Sequence, residues 1–268
     1  VKFIRGEFRC SDGQRRTYGK ISSGVSSPDV FVWLHGSTQS GQVGRRFTAG
    51  QFDVFASLGY TVLYPDGVGR HWNDGRVDLR EKTRALGTDD VLFLSELIEH
   101  YRGDNGRVFG AGYSNGGQMI LRLLFDAPAL LTRAAVFAAT QPIKDNFLCS
   151  TEDFIPTPLL LMHGVEDPIA PFHGGRLQLF SNACRGEVLS FERTLALYSA
   201  LNTGVSFTPP PPRHRGVELY DYPGVAGYAL HGVGHVVPVA GAVQSEFLGP
   251  THTDFLATDY LIDFFQLR

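Results

Sequence analysis

Ser114, Asp167 and His235 are the residues of this chain best suited, by type and context, to covalent chemistry. Ser114 is the centre of Gly112-Tyr113-Ser114-Asn115-Gly116, a G-x-S-x-G turn between the apolar Val108-Phe109 and the helix-forming run 119–124. A serine on such a strand-to-helix turn is held in a strained backbone conformation. Gly112 and Gly116 let strand and helix approach, so that the hydroxyl points out of the fold. The other reading of the pattern is a glycine-rich turn whose serine only caps the helix. Asp167 follows the apolar run 158–162 and His163-Gly164, at the carboxyl end of a late strand, where a carboxylate can orient an imidazole. Asp167 is preferred to Glu166 because Asp167-Pro168 reads as a turn, which leaves Glu166 facing solvent; an Asx-turn is the structural alternative for Asp167. His235 lies in Gly232-Val233-Gly234-His235, where glycines allow a loop to fold back over Ser114. His231 and His235 could also form a metal pair at i, i+4. Gly232, Gly234 and Pro238 oppose the helix which that spacing needs, so no metal is expected.

Together these three side chains suit acyl transfer. His235 would take the Ser114 proton during attack on an ester carbonyl, and Asp167 would fix the imidazole tautomer. The developing oxyanion needs donors. The Asn115 amide opens a helix, and the Ser37 amide lies in His35-Gly36-Ser37-Thr38, just after the apolar run 30–34. The loop 69–76 around Trp72 follows another strand, so His35 and Trp72 are expected to line the substrate pocket, with packing behind its wall as the other reading of each.

The elements that must position these groups alternate along the chain. Residues 1–23 suggest an edge hairpin. Runs 30–34, 60–64, 108–113, 134–139 and 158–164 are nearly continuously apolar, as in strands buried on both faces. Helical spacing marks 47–58, stopped by Gly59; a helix to Tyr101 capped by Thr88-Asp89-Asp90; 189–201; and 258–265. Asp89 and Asp90 therefore read as caps. The fold class is α/β, a mostly parallel sheet covered by helices on both faces. The whole chain, 1–268, reads as one domain, with an irregular insertion at about 172–230 that contains Pro209-Pro210-Pro211-Pro212 and a strand-like 217–222.

Bulk composition narrows the function. With 43% apolar residues among 268 the chain can bury a substantial core, and a net charge of −3 argues against nucleic-acid binding. No apolar run approaches a membrane span, so no membrane insertion is expected. Val1-Lys2-Phe3-Ile4-Arg5 turns polar at once and shows no signal peptide. Cys10, Cys149 and Cys184 have no metal-ligand spacing, and one disulfide with a free thiol, or three free thiols, fits equally.

Block by block, the chain resembles the polyhydroxybutyrate-depolymerase-like esterases, which are grouped with family 1 carbohydrate esterases and feruloyl esterases. The matching pieces are Leu34-His35-Gly36-Ser37-Thr38-Gln39, Tyr64-Pro65-Asp66-Gly67 with Trp72-Asn73, Gly112–Gly117, His163-Gly164 with Asp167-Pro168, Gly234-His235 and Asp263-Phe264-Phe265. This resemblance spans roughly residues 28–265. It implies an α/β-hydrolase fold, no cofactor, a small or oligomeric ester substrate (hydroxyalkanoate, feruloyl or acetyl) and a secreted or periplasmic protein. Two positions depart from the family. Val237 stands where a tryptophan usually precedes the proline, and Asn202-Thr203-Gly204 where a cysteine often follows the late helix. A serine peptidase of the same fold and a catalytically silent binding protein are the alternative functions.

Overall fold

The computed structural model describes residues 2–24, 27–178, 185–240, 245–251 and 254–267. Eleven strands appear among them: β1 (Ile4–Arg9), β2 (Arg15–Ile21), β3 (Val30–Leu34), β4 (Thr61–Pro65), β5 (Val108–Tyr113), β6 (Arg133–Phe137), β7 (Leu159–Gly164), β8 (Gly175–Arg176), β9 (Glu187–Val188), β10 (Val217–Tyr222) and β11 (Val225–Leu230). The helices are α1 (Gly41–Phe47), α2 (Val54–Ser57), α3 (Lys82–Ala85), α4 (Asp90–Tyr101), α5 (Asn115–Asp126), α6 (Phe191–Leu201) and α7 (Thr258–Phe264). Nine strands form one sheet in the order β1-β2-β4-β3-β5-β6-β7-β11-β10, while β8 and β9 pair separately. The six strands from β4 to β11 run parallel, and antiparallel pairs close both ends.

Alternation within the buried strands builds two cores. Val30, Val32 and Leu34 of β3 face a layer with Phe93, Leu94, Leu97 and Ile98 of α4 and the apolar side of α5. Phe31 and Trp33 face the opposite layer with Phe52, Phe55, Tyr260, Leu261 and Phe264. Helices therefore cover both faces, as a fully buried parallel sheet requires.

Two expectations change. The segment 47–58 is not one helix: α1 ends at Phe47, Ala49 (φ +51°) and Gly50 (φ +69°) break the backbone, and α2 follows a short 3₁₀ turn. Nor is 172–230 an insertion, because β10 and β11 are strands of the main sheet and α6 packs against β11, β10 and β7. Gly227 eases this packing, since a Cβ there would lie 2.5 Å from Leu195 Cδ1 of α6 and that side-chain end would have to turn away. The glycine that lets α6 pack so closely is also what weakens the strand pattern of β11 in the sequence. Pro209 and Pro210 are buried, and Pro210 accepts a hydrogen bond from the Tyr228 hydroxyl at 2.6 Å. The buried Asn202 side chain links Thr157 and Gly224 through three hydrogen bonds of 2.7–3.0 Å. Cys10 and Cys149 are free thiols, and Cys184 lies outside the described residues.

Candidate active site

Ser114 stands between β5, at the centre of the sheet, and α5. Its backbone is at φ +53°, ψ −116°, a conformation that L residues rarely hold without support. Support comes from two glycines. A Cβ on Gly112 would lie 2.3 Å from the Gly116 carbonyl oxygen, and one on Gly116 would lie 2.1 Å from that of Leu34. The Ser114 side chain makes no capping bond to α5, so the capping alternative does not hold. Its Oγ lies 2.9 Å from His235 Nε2.

Asp167 follows β7 and is 7% exposed. Its Oδ1 accepts from the amides of Ile169 and Ala170, both at 2.8 Å, which is the Asx-turn. Its Oδ2 lies 2.7 Å from His235 Nδ1. The turn and the imidazole contact thus coexist, one on each carboxylate oxygen. Burial tends to raise the Asp167 pKa, but His235, the neighbouring His163 and the backbone donor outweigh it and hold the carboxyl below its ordinary range. His163 lies 3.4 Å from the same Oδ2, and its Nε2–H donates to the Ala170 carbonyl at 2.8 Å. Burial lowers the His163 pKa, keeping this second imidazole neutral.

The loop carrying His235 is fixed from several directions. Its amide donates to Leu248 at 2.6 Å, and its carbonyl accepts from the Tyr113 hydroxyl at 2.7 Å. Gly234 is required, because a Cβ there would lie 2.1 Å from the Leu248 carbonyl oxygen. Glu166 is exposed, as its position suggests, yet its carboxylate accepts from the amides of Gly232 and Val233 at 2.7 and 3.0 Å. His231 turns outward to Glu218 at 3.0 Å, so it does not converge with His235 on a common point.

Two cavities meet at Ser114. The small one, about 20 Å³, is lined by Ser37, Asn115, Gln118, Ala138, Leu177 and Arg76 among others. The wide one, about 640 Å³, is lined by apolar Phe47, Tyr113, Phe247 and Leu248 and by polar Gln39, His71 and Glu81. Ser37, Ile169, Arg185 and His235 border both. Among the described residues the backbone N–H groups of Ser37 and Asn115 donate to no protein acceptor. The Asn115 side chain is clamped instead: Oδ1 accepts from the Trp72 amide at 2.7 Å, and Nδ2 donates to Asp74 at 2.6 Å. Asp74 is fully buried against Arg76 (2.5 Å); although burial alone would raise its pKa, that guanidinium holds the carboxyl low.

His35 and Trp72 do not line either cavity, which corrects the pocket-wall expectation. Both are fully buried. Trp72 Nε1 donates to the His35 carbonyl at 3.0 Å, and the two rings lie 4.9 Å apart. His35 Nε2 accepts from the Gly67 amide at 3.0 Å, which assigns the ring proton to Nδ1, 2.8 Å from the Gly36 carbonyl. Burial drives the His35 pKa down to about 4, so it remains neutral. The pair braces the loops behind the site. Of the residues that do border it, Arg76 belongs to the loop 69–76 that the sequence singled out, whereas Arg185, Glu81, Leu177 and Phe247 lie in stretches without periodicity or motif, and no sequence signal marked them.

No protein-family model matches the chain. Over 147 residues it is 29% identical to the protein named "Putative esterase NocK" of Nocardia uniformis subsp. tsuyamanensis, a stretch covering 53% of this chain and 40% of that protein. The chain thus spans well under two thirds of the length of this relative. An acetyl xylan esterase from Aspergillus awamori superposes with a TM-score of 0.63 over 99% of this chain and 100% of its own, at 14% identity. A Pyrococcus furiosus esterase, Pf2001, superposes with a TM-score of 0.52 over 88% of this chain and 84% of its own, at 16% identity. These likenesses show the α/β-hydrolase fold.

Proposed function

We propose that this protein is a serine carboxylic-ester hydrolase working through an acyl-enzyme. One observation carries the reading: the continuous line from Asp167 to His235 to Ser114, at 2.7 and 2.9 Å, ending at the junction of two cavities. As Ser114 Oγ attacks the ester carbon, His235 Nε2 accepts its proton and Asp167 stabilises the imidazolium. The amides of Ser37 and Asn115 receive the oxyanion. His235 then protonates the leaving alcohol, and the same base activates water to release the acid.

The two cavities divide the ester between them. We assign the acyl part to the small cavity, about 20 Å³, whose tightness beside Ser114 favours a group as short as acetyl. The alcohol part then takes the wide cavity, whose mixed polar and apolar lining suits a bulky, partly polar group. Support for an acetyl substrate also comes from the superposed Aspergillus awamori protein, described as an acetyl xylan esterase. By size alone, feruloyl and 3-hydroxybutyryl groups fit the small cavity poorly.

A fluorophosphonate probe should label the wild-type chain at Ser114 and leave Ser114→Ala unlabelled. p-Nitrophenyl acetate should be hydrolysed well ahead of the butyrate. Absence of both labelling and turnover would overturn the hydrolase reading; a preference for butyrate or longer acyl groups would overturn the acyl-size reading alone.

A further inference from the structure

We propose that Arg185 is a positioning residue that holds the oxyanion-binding loop in place through the hydroxyl of Ser37. The inference rests on the hydrolase reading and assigns a role to a residue 148 positions away from the loop it serves. Arg185 Nη1 donates to Ser37 Oγ at 3.1 Å. Its Nη2 is ion-paired with Glu81. Glu81 in turn approaches His71 at 3.5 Å, and His71 Nδ1 lies 2.9 Å from the Gly69 carbonyl. The Arg70 carbonyl closes the circuit by accepting the Thr38 amide at 2.9 Å. The loop bearing Ser37 is thereby gripped on both sides, by a side chain at Ser37 and by backbone at Thr38.

This loop needs an external grip. Gly36 has no side chain to anchor it; the position of a Cβ there is already taken by the Tyr113 ring at 2.7 Å. Thr38 is at φ +64°, an unfavourable conformation for a β-branched residue. Inside the loop the Thr38 hydroxyl donates to the Ser37 carbonyl at 2.6 Å and the Gly36 amide donates to Gln39 at 3.2 Å, but among the described residues only Arg185 holds the Ser37 side chain. A planar guanidinium can bond two groups in different directions at once, whereas an ammonium is a single point of charge. The Arg185 side chain is only 10% exposed and borders both cavities, so its position is defined by these contacts and not by water.

Oxyanion donors act on the transition state and hardly at all on bound substrate, so loosening Ser37 should lower kcat and spare KM. The test is a double-mutant cycle on p-nitrophenyl acetate with Ser37→Ala, Arg185→Gln and the double variant, with Tm measured for each. Ser37→Ala keeps the backbone N–H and removes only the anchor. Each single variant should lose about tenfold or more in kcat with KM within about twofold, and the double should be no worse than the poorer single. Arg185→Lys, which retains a cation beside Glu81, should keep the wild-type Tm yet share the loss in kcat, and it serves in place of Arg185→Gln if that variant does not fold. Multiplicative losses in the double, losses confined to KM, or full kcat in Arg185→Lys would overturn the proposal. A wild-type chain with neither turnover nor fluorophosphonate labelling would end the hydrolase reading, and this inference with it.

Discussion

Replacing Gly116 by alanine should damage the site more than its chemistry suggests. Gly116 is in the first turn of α5 and its φ is not positive, so the backbone itself can accept alanine. Helix propensity alone would make the change favourable by up to about 1 kcal/mol. Packing decides otherwise. The new Cβ would lie 2.1 Å from the Leu34 carbonyl oxygen, 2.5 Å from its carbon and 2.6 Å from the His35 carbonyl oxygen. All three are backbone atoms at the end of β3 and immediately after it, and none can rotate away. A carbon meets a carbonyl oxygen comfortably at about 3.3–3.6 Å, so β3 and α5 must separate by about 1 Å. Those two elements carry Ser37 and Asn115, the two proposed oxyanion donors, and the strain falls between them. Overpacking of this kind costs about 1–3 kcal/mol, and a misplacement of about 1 Å in a reacting constellation costs about a hundredfold in rate. We therefore expect Gly116→Ala to lose about two orders of magnitude in kcat on p-nitrophenyl acetate and to lower the urea midpoint. A variant that is more stable than wild type and turns over at the wild-type rate would refute the argument.

Asp167→Asn keeps an acceptor for Ile169 and Ala170 but disturbs the His235 tautomer, so kcat should fall about 10³–10⁴-fold. Glu166→Gln, which only weakens two amide contacts, should cost less than about tenfold; steady-state rates showing the reverse order would move the orienting role to Glu166. His35 is neutral in the native state with a pKa of about 4, while the unfolded chain protonates it below its ordinary value of 6.5. The unfolded state then binds the extra proton, so stability should fall by up to about 3 kcal/mol as pH drops across that window. Urea titrations of His35→Asn should show a shallower slope there, and an unchanged slope would exonerate His35. Arg16 and Asp90, 4% and 0% exposed, are paired at 2.5 Å, so Arg16→Met should cost about 3–5 kcal/mol in equilibrium denaturation. Burial pushes the Asp90 pKa up, and the lone carboxyl can neutralise itself by taking a proton. The penalty should therefore be smaller at pH 5 than at pH 8; an equal loss at both would speak against an uncompensated charge.

Fold class and the meeting of Ser114, Asp167 and His235 were legible in the chain because each is announced by short-range physics. Steric crowding around a strained serine demands Gly112 and Gly116, and continuous apolar runs follow from strands covered on both faces. Ser114 and Asp167 each stand just beyond such a run, His235 is marked by its glycine-rich loop, and parallel strands deliver their carboxyl ends to the same edge of the sheet. What surrounds those side chains was not legible. Trp72 and His35 occur in motif-like surroundings but point inward, because whether a loop residue faces a cavity or its back depends on what packs against it. Gly227 hides β11 locally, and its close approach to Leu195 and Phe191 of α6 exists only in the folded chain. Arg185 belongs to no periodic element, and its importance exists only where Ser37 and Glu81, distant along the chain, come within reach of its two nitrogens. Backbone conformation and hydrophobic periodicity are properties of neighbours in sequence, whereas pocket walls and shared ion pairs are properties of neighbours in space, created only when the chain is folded.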